Sequence, residues 1–184
     1  MNRDILCLYY SRTGNTKFAM EEIAAALDCE CAELRDRVDR SGTVGYLRSG
    51  LDAMRKRTRA MEPVETRRAL HDYRLVILAT PIWAGRCSSV ARGFLKRRGL
   101  EIQNIAYVLT HGSEELYKDV YGQMDQYVER PHVAGLAAHR LGGLPFLARR
   151  VCAQCDKLHD GGELRRCGRS WNSSRAAVRR SASC

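Results

Sequence analysis

Six residues placed between a strand-like run and a helical one have the side chains to hold an anion: Ser11, Arg12, Thr13, Gly14, Asn15 and Thr16. Together they supply three hydroxyls, an amide and a flexible glycine. Their successive backbone N–H groups would stand at the positive end of the helix that follows, which suits a phosphate. A dianion there gains about 0.3–1 kcal/mol from the helix terminus, up to about 2 kcal/mol if partly buried, with charge-assisted hydrogen bonds added. The same residue types also make a plain turn and a helix cap, so the loop alone leaves both readings open.

Better-known phosphate loops do not fit these residues. A Walker loop needs G-x-x-x-x-G-K-[ST] and a dinucleotide fingerprint needs G-x-G-x-x-G, whereas this loop has one glycine. A small phosphatase loop needs one more residue than the four that separate Cys7 from Arg12, and Cys7 would in any case lie inside the strand. What remains is a cradle of hydroxyls and N–H groups with no obligatory lysine or metal, suited to a terminal phosphate.

The elements that must position this loop are legible as apolar runs. Ile5 to Tyr10 is continuously apolar and stops at Ser11, and apolar residues then recur at helical spacing to Leu27. Cys29 to Leu34 reads as a short second strand. Residues 35 to 74 are polar and Arg-rich; Leu47, Leu51 and Met54 predict one exposed amphipathic helix, and Val64 to Leu70 a short second one. Arg74 to Pro81 has the unbroken apolar character of a strand buried on both faces. It ends at Pro81, Ile82, Trp83, Ala84 and Gly85, after which Ser88 or Ser89 can cap a helix running to Arg98. Asn104 to Thr110 is a fourth strand, followed by His111, Gly112 and Ser113 and by a helix with Leu116, Val120, Met124 and Val128 on one face. Pro131 stops that helix, and His132 to Ala138 is a weaker fifth strand. A last helical stripe runs through Leu144, Leu147, Val151, Cys155 and Leu158, with Pro145 in its first turn and Gly161-Gly162 at its stop.

This alternation predicts an α/β domain over 1–160 with a mostly parallel sheet and helices on both faces. Ligands of such sheets bind outside the carboxyl ends of the strands. Ser11 to Thr16, Pro81 to Gly85 and Thr110 to Ser113 all meet that description, and their convergence is the expected site.

The totals bound the partners. With 184 residues, 45% hydrophobic and 28% charged, the chain suits one well-buried core plus decoration. No apolar run approaches the roughly 20 residues of a membrane span, and no small-residue cleavage site follows Ile5, so a cytoplasmic location is expected. The eight cysteines include Cys7, Cys29 and Cys31 in apolar runs, where a reduced thiol is a small hydrophobe. The net charge of +10 sits mainly after residue 139, where ten Lys or Arg face three Asp or Glu. The high pI therefore describes a basic tail, expected over 161–184 to be disordered, and argues against nucleic acid as a partner of the domain.

The spelling Y-S-R-T-G-N-T after the first strand, T-P-I-W-A-G after the third and T-H-G after the fourth resembles the flavodoxin family. G-Y-L-R-x-G over Gly45 to Gly50 is similar to its flavodoxin-like oxidoreductases. The resemblance covers residues 4 to about 135. It implies a flavodoxin-like three-layer sandwich with a five-stranded parallel sheet of order 2-1-3-4-5 and FMN at the switch point. It also implies that Ser11, Arg12, Thr13, Gly14, Asn15 and Thr16 hold the FMN phosphate. Pro81, Ile82, Trp83, Ala84 and Gly85 would line one side of the isoalloxazine, and Thr110, His111, Gly112 and Ser113 the other. A flat ring system needs an aromatic or apolar face to stack on. Trp83 is the candidate, with a core tryptophan as its alternative; His111 either serves the flavin edge or turns the chain.

Two features depart from the resemblance. The domain is mildly basic, with Arg48, Arg55, Lys56, Arg57 and Arg59 in one connection, where family electron carriers are acidic. Such a patch meets an acidic protein, meets the phosphates of NAD(P)H, or is simply a solvated helix face. The end of the chain drifts into Arg, Ser and Cys as a shifted reading frame would, and Cys152, Cys155, His159 and Cys167 have a spacing that zinc could use. The functions in play are thus FMN-dependent electron transfer or redox catalysis with a protein or small-molecule acceptor, an NAD(P)H-dependent quinone or porphyrinogen-type reductase, and a flavin-free binding module acting through its tail.

Overall fold

The computed structural model describes residues 2–58, 61–112 and 117–139. Five parallel strands form its centre: β1 (Asn2–Tyr9), β2 (Cys29–Glu33), β3 (Leu75–Trp83), β5 (Ile105–His111) and β6 (Ala134–His139), in the order β2-β1-β3-β5-β6. A two-residue β4 (Arg86–Cys87) pairs antiparallel with the end of β3. With β4 set aside, the order is the expected 2-1-3-4-5.

The helices are α1 (Asn15–Leu27), α2 (Gly42–Met54), α3 (Ser89–Arg98) and α4 (Lys118–Asp125). Alternation along β1 divides the core in two. Ile5, Cys7 and Tyr9 face Ala19, Met20, Ile23 and Leu27 of α1. Leu6 and Leu8 face the opposite layer, where Val90, Phe94 and Leu95 of α3 and Val120 and Met124 of α4 pack. Central strands buried on both sides are apolar nearly throughout, with Thr80 and Thr110 hydrogen-bonded at their carboxyl ends, which is why they read as almost unbroken runs. Each fully buried Leu or Ile contributes about 1.5–3 kcal/mol over leaving it in water. Ser88 caps α3 as expected, its Oγ accepting from the Ala91 N–H at 3.1 Å.

Two expectations need correcting. First, β3 does not stop at Pro81 but continues through Trp83 and folds back onto β4, with Ile82 opposite Cys87 and Trp83 opposite Arg86. Second, no helix forms over Val64 to Leu70; a single 3-10 turn, Leu70–Asp72, follows instead. Pro63 brings no N–H, and the Arg67 N–H donates to the Glu30 carboxylate of β2 at 2.9 Å in place of a helical carbonyl. The expected exposed amphipathic helix is α2, and the structure adds which way its apolar stripe of Leu47, Leu51 and Met54 faces. These are exposed, and its buried side is Gly45, Ser49, Asp52 and Ala53.

Ser113, Arg59, Leu116, the stripe over 144–158, the tail over 161–184 and the zinc spacing at Cys152, Cys155, His159 and Cys167 lie outside the described residues. Among the described residues no helix is long and apolar enough to cross a membrane.

Candidate functional site

The topology puts the carboxyl ends of β1, β3 and β5 side by side, and the loops that follow them meet. The first loop is closed by the Gly14 N–H, which donates to Ser11 Oγ at 3.1 Å. Gly14 takes a left-handed φ of 90° as the residue preceding α1, and no side chain caps the helix there. The first helical bond runs from the Phe18 N–H to the Gly14 carbonyl. The N–H groups of Asn15, Thr16 and Lys17 therefore precede any intrahelical acceptor, at the end of the helix where the dipole is positive. Thr13, Gly14 and Asn15 are exposed, Ser11 and Arg12 half-buried. Thr16 is buried, and its Oγ1 lies 2.8 Å from Thr110 Oγ1 at the end of β5, which ties the first loop to the third.

The second loop is the β3–β4 hairpin. Its two central residues, Ala84 (φ 47°) and Gly85 (φ 68°), are both left-handed, the requirement of a tight two-residue turn between right-twisted strands. This turn fixes Trp83, which is half-buried at the margin of the second core cluster rather than enclosed in it. The Tyr10 and Trp83 rings meet edge to face, 5.7 Å apart at 89°, so the first and second loops are joined as well. Behind the hairpin, Thr80 Oγ1 donates to Ser88 Oγ at 2.9 Å, anchoring the strand end to the cap of α3.

In the third loop, the His111 ring packs edge-on against Tyr117 at 5.1 Å, and Gly112 is exposed.

One part of the site was not visible in the sequence. Arg40, in what reads as a polar linker, is buried with its guanidinium 5.8 Å from the centre of the Trp83 ring. It pairs with Asp36 at 2.7 Å and Asp52 at 3.3 Å, both carboxylates being almost fully buried. It also donates to Ser49 Oγ at 3.3 Å and Ser89 Oγ at 3.0 Å. Burial disfavours this cation, but the hydrogen bond and charge of Asp36, with the charge of Asp52, outweigh it and hold the guanidinium charged. Gly45 is needed for the approach: a Cβ there would fall on the backbone carbonyl of Arg40. That close approach is the physical content of the first glycine in G-Y-L-R-x-G. A second buried arginine, Arg92, donates to the carbonyls of Asp52, Ala53 and Cys87, fastening the end of α2 to β4. The local signal for Arg40 was the Asp36/Arg40 spacing of four, which reads equally well as a surface pair.

Burial also pushes the Tyr10 phenol up to about 12, Arg40 opposing the shift. Tyr10 is thus a neutral ring beside Trp83 at physiological pH. The chemistry on offer is that of binding: N–H groups and the hydroxyls of Ser11 and Thr13 for a phosphate, and a tryptophan held at its edge for a flat apolar ring. Among the described residues the arrangement presents no activated nucleophile.

No protein-family model matches the chain, and a search of curated proteins found no match. Solved structures do match. The chain is similar to a flavoprotein in complex with FMN from Lactobacillus acidophilus NCFM, with a TM-score of 0.60 and 21% identity over 74% of this chain and 93% of that one. It is similar to a candidate flavoprotein from Bacteroides eggerthii DSM 20697, with a TM-score of 0.68 and 19% identity over 85% and 98% of the two chains. A flavodoxin from the domain Archaea aligns with a TM-score of 0.51 and 10% identity over 84% and 98%. At these identities the likeness is one of fold.

Proposed function

Starting from its flavodoxin-like fold, we propose that this chain is an FMN-binding protein of electron transfer or redox catalysis. The observation that carries this reading is the joining of an uncapped helix start to a hairpin-held tryptophan through the Tyr10–Trp83 contact, with the Thr16–Thr110 contact tying in the third loop. A phosphate on one side and a flat ring on the other is the division of labour that FMN asks for.

In this reading Ser11, Arg12, Thr13, Gly14, Asn15 and Thr16 hold the phosphate. Trp83 and its hairpin, with Pro81, Ile82, Ala84 and Gly85, orient one side of the ring. Thr110, His111, Gly112 and Ser113 line the other. The bound flavin would supply the one- and two-electron chemistry. The protein's own part is to position the ring, exclude water from it and set the charge around it. Arg40, compensated by Asp36 and Asp52, packs its guanidinium against Trp83, and Tyr10 stays protonated beside it.

The test is a titration of the purified full chain with FMN and with riboflavin, followed by absorption between about 350 and 500 nm. FMN should bind at least about tenfold more tightly than riboflavin, equivalent to about 1.4 kcal/mol from the phosphate loop. Protein that stays colourless after incubation with FMN overturns the proposal. Steady-state oxidation of NAD(P)H by the FMN-loaded protein, with and without a quinone, then separates a reductase from a carrier.

A further inference from the structure

The apolar stripe of α2 points the wrong way for a helix that merely packs on its own domain. Val44, Leu47 and Met54 are 73%, 64% and 54% exposed, and Leu51 is exposed beside them. Amphipathic helices ordinarily turn such a stripe to the core. Here the inner side is small and polar, held by Arg40 to Ser49 and Asp52 and by Arg92 to the carbonyls of Asp52 and Ala53. Rotating the helix to bury its leucines would take Ser49 and Asp52 from Arg40 and the Asp52 and Ala53 carbonyls from Arg92, so the outward stripe is built in. Clustered exposed apolar side chains of this kind mark a surface that binds something.

The residues around the stripe say what. Val44, Leu47 and Leu51 line a groove of about 340 Å³ whose rim is Arg48, Arg55 and Arg57. Asp52 also borders it, but its carboxylate is committed to Arg40. An apolar groove bordered by three exposed arginines fits an acidic partner with an apolar ridge. The chain's own end does not suit it, since residues 140–184 carry ten Lys or Arg against three Asp or Glu. A second copy does not suit it either, because a two-fold contact would set one basic rim against another. A concave groove receives an inserted side chain, which favours a protein over the flat surface of an anionic bilayer.

We infer that the outer face of α2 docks an acidic protein segment that inserts apolar side chains between Leu47 and Leu51. The position is functionally apt. Tyr46 of the same helix lies under the Arg12 guanidinium, 5.2 Å from it, and so abuts the phosphate loop. A protein seated on α2 would stand beside the ring site, where electrons leave or enter. The docking surface needs no flavin; its use in electron exchange rests on the proposed function.

Two synthetic amphipathic peptides test this, one with leucines on one face and glutamates on the other, the second with lysines replacing the glutamates. They are titrated into the isotope-labelled full chain, with and without FMN, alongside vesicles of phosphatidylglycerol and phosphatidylcholine. The acidic peptide is expected to bind saturably in both states, to shift the amides of 44–57, and to weaken as salt rises. Leu47→Glu and, independently, Arg48→Glu should each lower its affinity about tenfold. Equal binding of the lysine peptide, shifts centred elsewhere, or indifference to both substitutions overturns the inference. Tighter binding to the vesicles than to the acidic peptide also overturns it, in favour of a membrane surface. A chain that binds the peptide but not FMN would sink the proposed function and leave the docking surface standing.

Discussion

Trp83 and Arg40 are the two side chains whose removal separates binding from folding. Trp83 is half-buried, so Trp83→Ala should leave the core intact while weakening FMN by about threefold to tenfold, the usual worth of an aromatic stacking partner at 0.5–1.5 kcal/mol. Quenching of flavin fluorescence measures it, and a Trp83→Phe variant should recover most of the loss. Arg40 behaves in the opposite sense. Arg40→Met leaves Asp36 and Asp52 buried without their cation, a change expected to cost about 3–5 kcal/mol in urea unfolding. Adding Asp36→Leu and Asp52→Leu to that variant should restore much of the stability, because the penalty lies in the stranded carboxylates. If the single and triple variants unfold alike, the cluster is not electrostatically coupled.

At the scale of elements, the β3–β4 hairpin and α2 yield predictions of definite sign. Ala84 holds φ 47°, at a cost of about 1–2 kcal/mol for a residue with a Cβ. Glycine relieves that cost but loses about 0.4–1 kcal/mol through the freer unfolded chain. Ala84→Gly should therefore raise stability by up to about 1 kcal/mol, read from the shift of the urea midpoint. In α2, Gly45→Ala collides with the Arg40 carbonyl and should destabilise by about 1–3 kcal/mol. Gly50→Ala meets nothing within 4 Å and should stabilise by about 0.5–1 kcal/mol through helix propensity. These elements also mark what a single sequence reveals. Ile5–Tyr10, Leu75–Ala79 and Ile105–Leu109 announce themselves because strands covered on both faces are apolar nearly throughout, and the phosphate loop and Ser88 cap are written in contiguous residues. The Arg40 cluster is not so written: Ser89 lies 49 positions from Arg40, and every member reads locally as a solvated polar residue. The direction of the α2 stripe was hidden for the same reason, since periodicity gives a face but not the layer it meets. In place of a helix over 64–70, the Arg67 N–H goes to Glu30 and the Arg68 N–H to the Tyr73 hydroxyl, partners only the fold brings near.

For the molecule as a whole, buried phenols set the alkaline limit. Burial, with nearby charge in some cases, pushes Tyr9, Tyr10, Tyr73 and Tyr121 up to about 12 and Tyr107 higher still. In the unfolded chain these groups ionise near the ordinary 10.0. Folding thus favours the protonated phenol, and the stability it confers is complete below pH 10.0 and lost as pH rises through about 12. Tyrosinate absorption should rise cooperatively with loss of helix over that interval; phenols that titrate at their ordinary value in a still-folded protein would contradict the burial. The sheet order has a consequence of another kind, for synthesis. β1 is made first yet sits second in the sheet, and Ile5 takes its partner Leu75 only after the long α2 excursion has been translated. Until β3 leaves the ribosome, one edge of an apolar strand lacks its native neighbour, so the sheet can close only through a contact distant in sequence.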